Sequence, residues 1–200
     1  MFVHRRGPLY SWLQSQRDMS DCGQVSPVQH LERCGYLSEN MLAAHANYME
    51  SDDIALLARR KVSIVHCPRS HAYFGHRAFP FSEAAAAGIN LCLGTDSLVT
   101  VFKPGKELPQ LNLFAEMQAL AANNPTVAPA AIVRMATMGG AAALGRSGQL
   151  GEICPNALAD LIVLPFAGRV SEVEQALVHC NQEVAGSMIN GEWVRKPGRE

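Results

Sequence analysis

The sequence predicts an α/β fold with a small β unit appended, and three observations carry that prediction. Short, continuous apolar runs alternate with segments of helical character. The runs show little apolar–polar alternation, so both faces of their strands would be covered, as in parallel β/α units. After about residue 148 the pattern changes to short strands joined by turn signals.

Taken in order, residues 8–16 (PLYSWLQSQ) and 27–34 (PVQHLERC) read as short helices. Each opens on a proline, whose missing N–H costs little in a first turn, and Gly35 stops the second. Residues 42–45 (LAAH) form a strand that ends on a polar side chain. Ser51 is the expected N-cap of a helix over 52–61 (DDIALLARRK), with acids in the first turn and bases in the last, as the helix dipole favours. Residues 62–67 (VSIVHC) read as a buried strand, 82–87 as a helix ended by Gly88, and 89–93 (INLCL) as a third strand running into Gly94-Thr95-Asp96-Ser97. A loop rich in Gly, Pro and Lys is expected over 103–109, then helices over 111–122 and 129–138. In the last fifty residues, 160–164, 183–189 and 192–194 are short strands, and Asn190-Gly191 is a strong hairpin signal. No internal repeat or low-complexity stretch interrupts this order.

Composition narrows the function classes. Of 200 residues 48% are hydrophobic, enough for a sizeable core and too many for a disordered chain. The formal net charge is −1 and no run of like charge occurs, so a nucleic acid or anionic membrane partner is not expected. The first ten residues lack the apolar core of a signal peptide, and no apolar stretch approaches the ~20 residues of a membrane span. The six cysteines are scattered, with no C-x-x-C pair. Free thiols and a cytoplasmic setting are the expectation.

In parallel α/β folds functional groups gather at the C-terminal strand ends. Three such ends carry polar groups here: His45, His66 and Asp96. A strand-tip Asp can bind a hard cation or move a proton, and a neighbouring His can polarise a metal-bound water. Simpler readings stand beside these. The Asp of a G-T-D turn can be a turn former or N-cap, His45 can be a satisfied core histidine, and His66, before Cys67 and Pro68, reads as structural. The cluster Arg69, Ser70, His71, Tyr73, His76 and Arg77 is read as a loop, either solvated or forming a substrate lip. His30-Leu31-Glu32 lacks the P-C-x-x-C partner of a cytidine-deaminase zinc site. There is no H-E-x-x-H, P-loop or G-x-S-x-G.

Three stretches together resemble the amidohydrolase superfamily, in the branch of methylthioadenosine/S-adenosylhomocysteine deaminases, aminodeoxyfutalosine deaminases and triazine chlorohydrolases. LAAHANYMESDDIALLARR (42–60) is similar to the family's sixth-strand segment, VSIVHCPRSHAYFGH (62–76) to the seventh strand and its H-C-P-x-S loop, and AAGINLCLGTDSL (86–98) to the eighth-strand G-T-D segment. ADLIVL and the final N-G-E-W-V resemble the return of the chain to a composite β-sandwich. The resemblance implies the C-terminal part of a (β/α)8 barrel over 1–148, about the sixth to eighth units with the helices that follow, and a sandwich portion over 149–200. It implies that Asp96 touches a divalent metal, zinc or else iron(II), and shuttles a proton, while His45 polarises water or the developing oxyanion. Arg69, Ser70, His71 and Ser97 would lie at the mouth for a small purine-like or triazine-like substrate.

The departures are equally specific. The family's first-strand H-x-H is absent from this sequence, and its fifth-strand His-Glu has no counterpart to which His4 can be matched. On this reading the chain begins between the fifth and sixth strands and contains one of the three protein ligands a catalytic zinc needs. A truncated hydrolase of carbon–nitrogen bonds, inactive alone, is the expectation. The alternative is a non-catalytic half-barrel that associates with a separate N-terminal half or with itself, since open sheet edges invite pairing. A flavodoxin-like domain would need a Gly-rich turn after the first strand, and 42–47 offers none.

Overall fold

Residues 1–101 and 110–198 of a computed structural model are described. The expected loop over 103–109 lies outside the described residues. Three strands form a parallel sheet in the order β1-β2-β3: β1 (Leu42–Ala44), β2 (Ser63–His66) and β3 (Leu91–Leu93). Ala44 pairs with Val65 and Val65 with Cys92, so the three C-terminal tips end level. Among the described residues this sheet is open; it is part of an α/β body and not a closed barrel.

Helices α1 (Pro8–Leu13) and α2 (Pro27–Arg33) precede the sheet, and α3 (Ser51–Arg59) connects β1 to β2. Ser26 caps α2 by accepting from the Gln29 N–H at 3.1 Å. Its hydroxyl also donates to Asp53, a carboxylate buried in the first turn of α3. The same carboxylate accounts for a one-residue difference from expectation. The Glu50 N–H donates to Asp53 at 3.3 Å, so Glu50 is the cap and Ser51 is already helical.

The segment expected as a loop after β2 instead opens with a helix, α4 (Pro68–Tyr73). Pro68 pre-sets the first turn, and the His71 N–H reaches the Cys67 carbonyl at 2.8 Å. Then come α5 (Phe81–Ala86), α6 (Leu113–Asn123), α7 (Pro129–Ala136) and α8 (Met138–Ala143). The helix expected to run to 138 breaks at Thr137, whose backbone is at φ −127° and ψ −93°. The break brings Gly139 against β3 so closely that a Cβ there would lie 2.5 Å from the Leu91 carbonyl. Asn90 fastens the joint by donating to the Gly139 carbonyl at 3.0 Å.

Leu57, Ile64, Leu120, Ile132 and Val178 are fully or nearly fully buried and join β2 to α3, α6, α7 and α9 (Val173–Val178) in one core. At about 25 cal/mol per Å² of apolar surface, such side chains supply most of the driving force. The C-terminal strands β4 (Leu161–Val163), β5 (Gly186–Ile189) and β6 (Glu192–Arg195) form an antiparallel sheet in that order. Asn190 and Gly191 are at φ 48° and 82°, the pair of left-handed residues that a two-residue hairpin turn requires. All six cysteines are free. No helix among the described residues is long and apolar enough to cross a membrane.

Candidate functional site

The level strand tips bring three segments to one rim. His45 follows β1, and its N–H donates to the Val65 carbonyl at 2.8 Å. Gly94 follows β3, and its N–H donates to the His66 carbonyl at 2.9 Å. Gly94 fits because it has no side chain: a Cβ would meet Val65 at 2.6 Å and the Cys67 sulfur at 3.2 Å. Two residues on, Asp96 turns back over the rim. Its carboxylate oxygen Oδ2 lies 3.9 Å from His45 Nε2, and both side chains are partly exposed.

Both residues sit in the left-handed region, His45 at φ 67° and Asp96 at φ 54°. Such positions cost of order 1–3 kcal/mol for a residue with a side chain, and they collect at functional sites. Nothing in the sequence signals them.

Ser70 donates to Asp96 Oδ2 at 2.5 Å, and Thr100 donates to the same oxygen at 3.0 Å. These hydroxyls, the Ser70 bond foremost, hold the Asp96 carboxyl below its usual range, assisted by His45. Asp96 is therefore kept as an anion. Thr100 was not anticipated, because it reaches the carboxylate only through a short 3-10 turn over Leu98–Thr100. Ser97 is exposed, and its carbonyl accepts from the Thr100 hydroxyl at 3.0 Å.

Arg69 is engaged elsewhere. Its Nε donates to Glu116 at 2.7 Å, its backbone N–H to the same carboxylate at 2.9 Å, and its Nη2 to the Gln110 carbonyl at 2.7 Å. Glu116 is fully buried. Burial pushes its pKa up, and the Arg69 hydrogen bonds oppose that shift. The pair pins the start of α4 to α6, and thereby fixes where Ser70 points. Glu116 also went unread in the sequence, although a lone acid among the apolar residues of 113–122 is a signal that could have found it.

His71 shares a 3.0 Å hydrogen bond with the Asn47 side chain, and its pKa is lowered mainly by burial. His66 is buried beneath it, ringed by His71, Phe79 and Phe81. Burial drives its pKa down to about 3, so it is neutral, and its Nδ1 has no hydrogen-bond partner.

A carboxylate and an imidazole suit zinc in kind. They fall short in number: no group of three or more His, Cys, Asp or Glu among the described residues is arranged to hold a metal ion. What the rim holds is an anionic acceptor and an imidazole within reach of one small molecule.

Comparison with known proteins identifies the family. Residues 16–194 match the model of the amidohydrolase family. The chain is 34% identical over 177 residues to a 5-methylthioadenosine/S-adenosylhomocysteine deaminase of Syntrophobacter fumaroxidans, covering 76% of this chain and 39% of that protein. It is 37% identical over 163 residues to a 5′-deoxyadenosine deaminase of Methanoregula boonei, covering 76% and 35%. Among solved structures, an adenosine deaminase from Xanthomonas campestris with bound zinc superimposes with a TM-score of 0.75 at 28% identity, over 86% of this chain and 40% of that one. An atrazine chlorohydrolase variant from Arthrobacter aurescens, complexed with zinc and atraton, gives 0.76 at 23% identity over 96% and 43%, a likeness of fold alone. The chain thus spans about two fifths of the length of the relatives it matches.

Proposed function

The chain belongs to the amidohydrolase family, and on that premise we propose that it forms the His45/Asp96 side of a metal-dependent hydrolase that removes an amino group from a purine-like ring. The observation that carries this reading is the 3.9 Å approach of His45 Nε2 to Asp96 Oδ2 on one rim of a parallel sheet. Relatives named as deaminases of adenosine-type compounds support the substrate class, and the zinc in an adenosine deaminase of the same fold supports the choice of metal.

Asp96 would hold the ion through its carboxylate. When bound, a zinc ion supplies Lewis acidity and lowers the pKa of water toward neutrality. The chain's own groups do the rest. Asp96, kept anionic by Ser70 and Thr100, accepts a proton from the attacking water and delivers it to the departing amine, so that water and the ring amine become a ring carbonyl and ammonia. His45 Nε2 faces the oxygen on which charge develops and stabilises it. Arg69 acts through Ser70 as a brace, while His71 and the exposed Ser97 border the mouth. The body over 1–148 carries this chemistry, and the sheet-bearing 149–200 is the sandwich portion. A cytoplasmic setting fits the free thiols.

A second reading rests on the open sheet. The outer edges of β1 and β3 are unpaired among the described strands, and such edges favour association with a complementary half-barrel or a second copy.

Metal analysis by mass spectrometry tests the first reading. The 200-residue chain alone is expected to hold well below one zinc per chain, because a catalytic zinc needs three protein ligands. A longer protein that includes this chain and the family's first-strand histidines should hold one and lose it on Asp96→Ala. Stoichiometric zinc in the 200-residue chain, or an unchanged zinc content in the Asp96→Ala protein, would overturn it.

A further inference from the structure

A contiguous group of aromatic rings is carried by the two segments that follow Ser70 and His45, and it takes no part in the hydrolytic step. Helix α4 explains its position. Ser70, which holds Asp96, is followed three and four residues later by Tyr73 and Phe74, and residues at that spacing share a helix face. The Phe74 N–H closes this turn on the Ser70 carbonyl at 3.1 Å. One turn rises ~5.4 Å, so Tyr73 and Phe74 begin the turn after the one that carries Ser70.

From there the rings run on without a gap. Tyr73 and Phe74 meet edge to face with centroids 5.1 Å apart, and Phe74 and His76 lie 5.6 Å apart with planes tilted by 34°. His76 meets Tyr48 at 5.4 Å, with a 2.8 Å hydrogen bond between the Tyr48 hydroxyl and His76 Nδ1. Tyr48 is three residues beyond His45, which returns the ledge to the other member of the pair. Arg77 lies 5.5 Å over the Tyr48 ring and is itself fixed by Glu50 and the Met49 carbonyl. Tyr48, Tyr73 and Phe74 are 60%, 51% and 56% exposed. Single exposed aromatics need no explanation. Four rings in continuous contact, anchored at the Tyr48 end by Arg77 and half open to solvent, on the segments that follow Ser70 and His45, form a surface with a shape.

Resting on the functional reading above, we propose that Tyr73 and Phe74, with His76 and Tyr48 behind them, are the specificity-determining platform on which the planar heteroaromatic ring of the substrate stacks. The flat, polarisable faces reward a planar π-system, and stacking tolerates variation in ring substituents. The platform reaches the strand tips through His71, whose ring lies 5.4 Å from that of His76 and whose Nδ1 shares a hydrogen bond with Asn47, two residues beyond His45.

Saturation-transfer NMR titration of the 200-residue chain with adenosine, and separately with ribose, tests this. Adenosine should saturate at its ring protons and ribose should give no signal. Tyr73→Ala and Phe74→Ala should each weaken adenosine about tenfold, Tyr73→Phe should stay within about twofold, and circular-dichroism melts of the four proteins should coincide, as expected for exposed side chains. Adenosine binding that survives both alanine variants, equal binding of ribose, or no adenosine binding by the unaltered chain would overturn the platform. None of those results bears on zinc content, which decides the hydrolytic reading separately.

Discussion

The two three-stranded sheets differ most in what covers them. In the parallel sheet, three of the four residues of β2 are buried, and Ile64 has no exposed surface. In the antiparallel sheet every residue of β6 is exposed, and Ile162, Ile189 and Val194 are between 55% and 67% open to solvent. One sheet is held by helices packed around it, the other by its own backbone ladder and a hairpin. Among the described residues, His45, Ser70 and Asp96 gather at the tips of the covered sheet. Rigid cover lets a strand tip hold His45 and Asp96 in costly left-handed backbone, and an uncovered sheet has no comparable constraint to offer.

Truncation of side chains puts this contrast to its strongest test. Ile64→Ala should cost about 2–5 kcal/mol in urea unfolding, and Val194→Ala less than about 0.5 kcal/mol. Comparable losses would mean that the antiparallel sheet is covered by something in solution.

A second test uses acid. His66 takes up a proton near pH 6.5 when unfolded but only at about 3 when folded. The unfolded chain therefore binds more protons between those values, so stability falls as pH is lowered from 6.5 toward 3, and it is complete above 6.5. The loss should be on the order of a few kcal/mol. His66→Met should flatten the slope in that window, measured as midpoint denaturant concentration against pH. An unchanged slope would show that the covered sheet does not protect this imidazole.

The smallest effect concerns the tips themselves. His45→Gly removes the side-chain penalty at φ 67°, so the variant should be more stable by up to about 1 kcal/mol while any hydrolysis by a complete enzyme falls. A loss of stability instead would mean that the His45 side chain contributes more by its contacts than its backbone costs.

Much of this was legible in the sequence. The strands expected at 42–45, 62–67 and 89–93 fall on β1, β2 and β3 within two residues, because short continuous apolar runs, two of them ended by Pro68 or Gly94, leave little alternative. The Asn190-Gly191 hairpin was equally plain. Short helices were harder: α4 has six residues of which the first is a proline, and α8 contains Gly139-Gly140, so neither shows enough periodicity to be read. The site was half legible. His45, Ser70 and Asp96 declare themselves as polar groups after strands. The partners that set their behaviour do not, since Glu116 reaches Arg69 across 47 residues and Thr100 turns back from beyond the rim. Pairings of that kind belong to tertiary structure.

Gly94 carries a practical consequence for anyone reshaping this protein. With Val65 and the Cys67 sulfur filling the space where a methyl would go, even alanine would push the neighbouring strand aside and carry the acid with it. Randomised libraries meant to probe the proposed ring platform should leave this glycine alone and spend their diversity at 48, 73 and 74, where the side chains are more than half exposed.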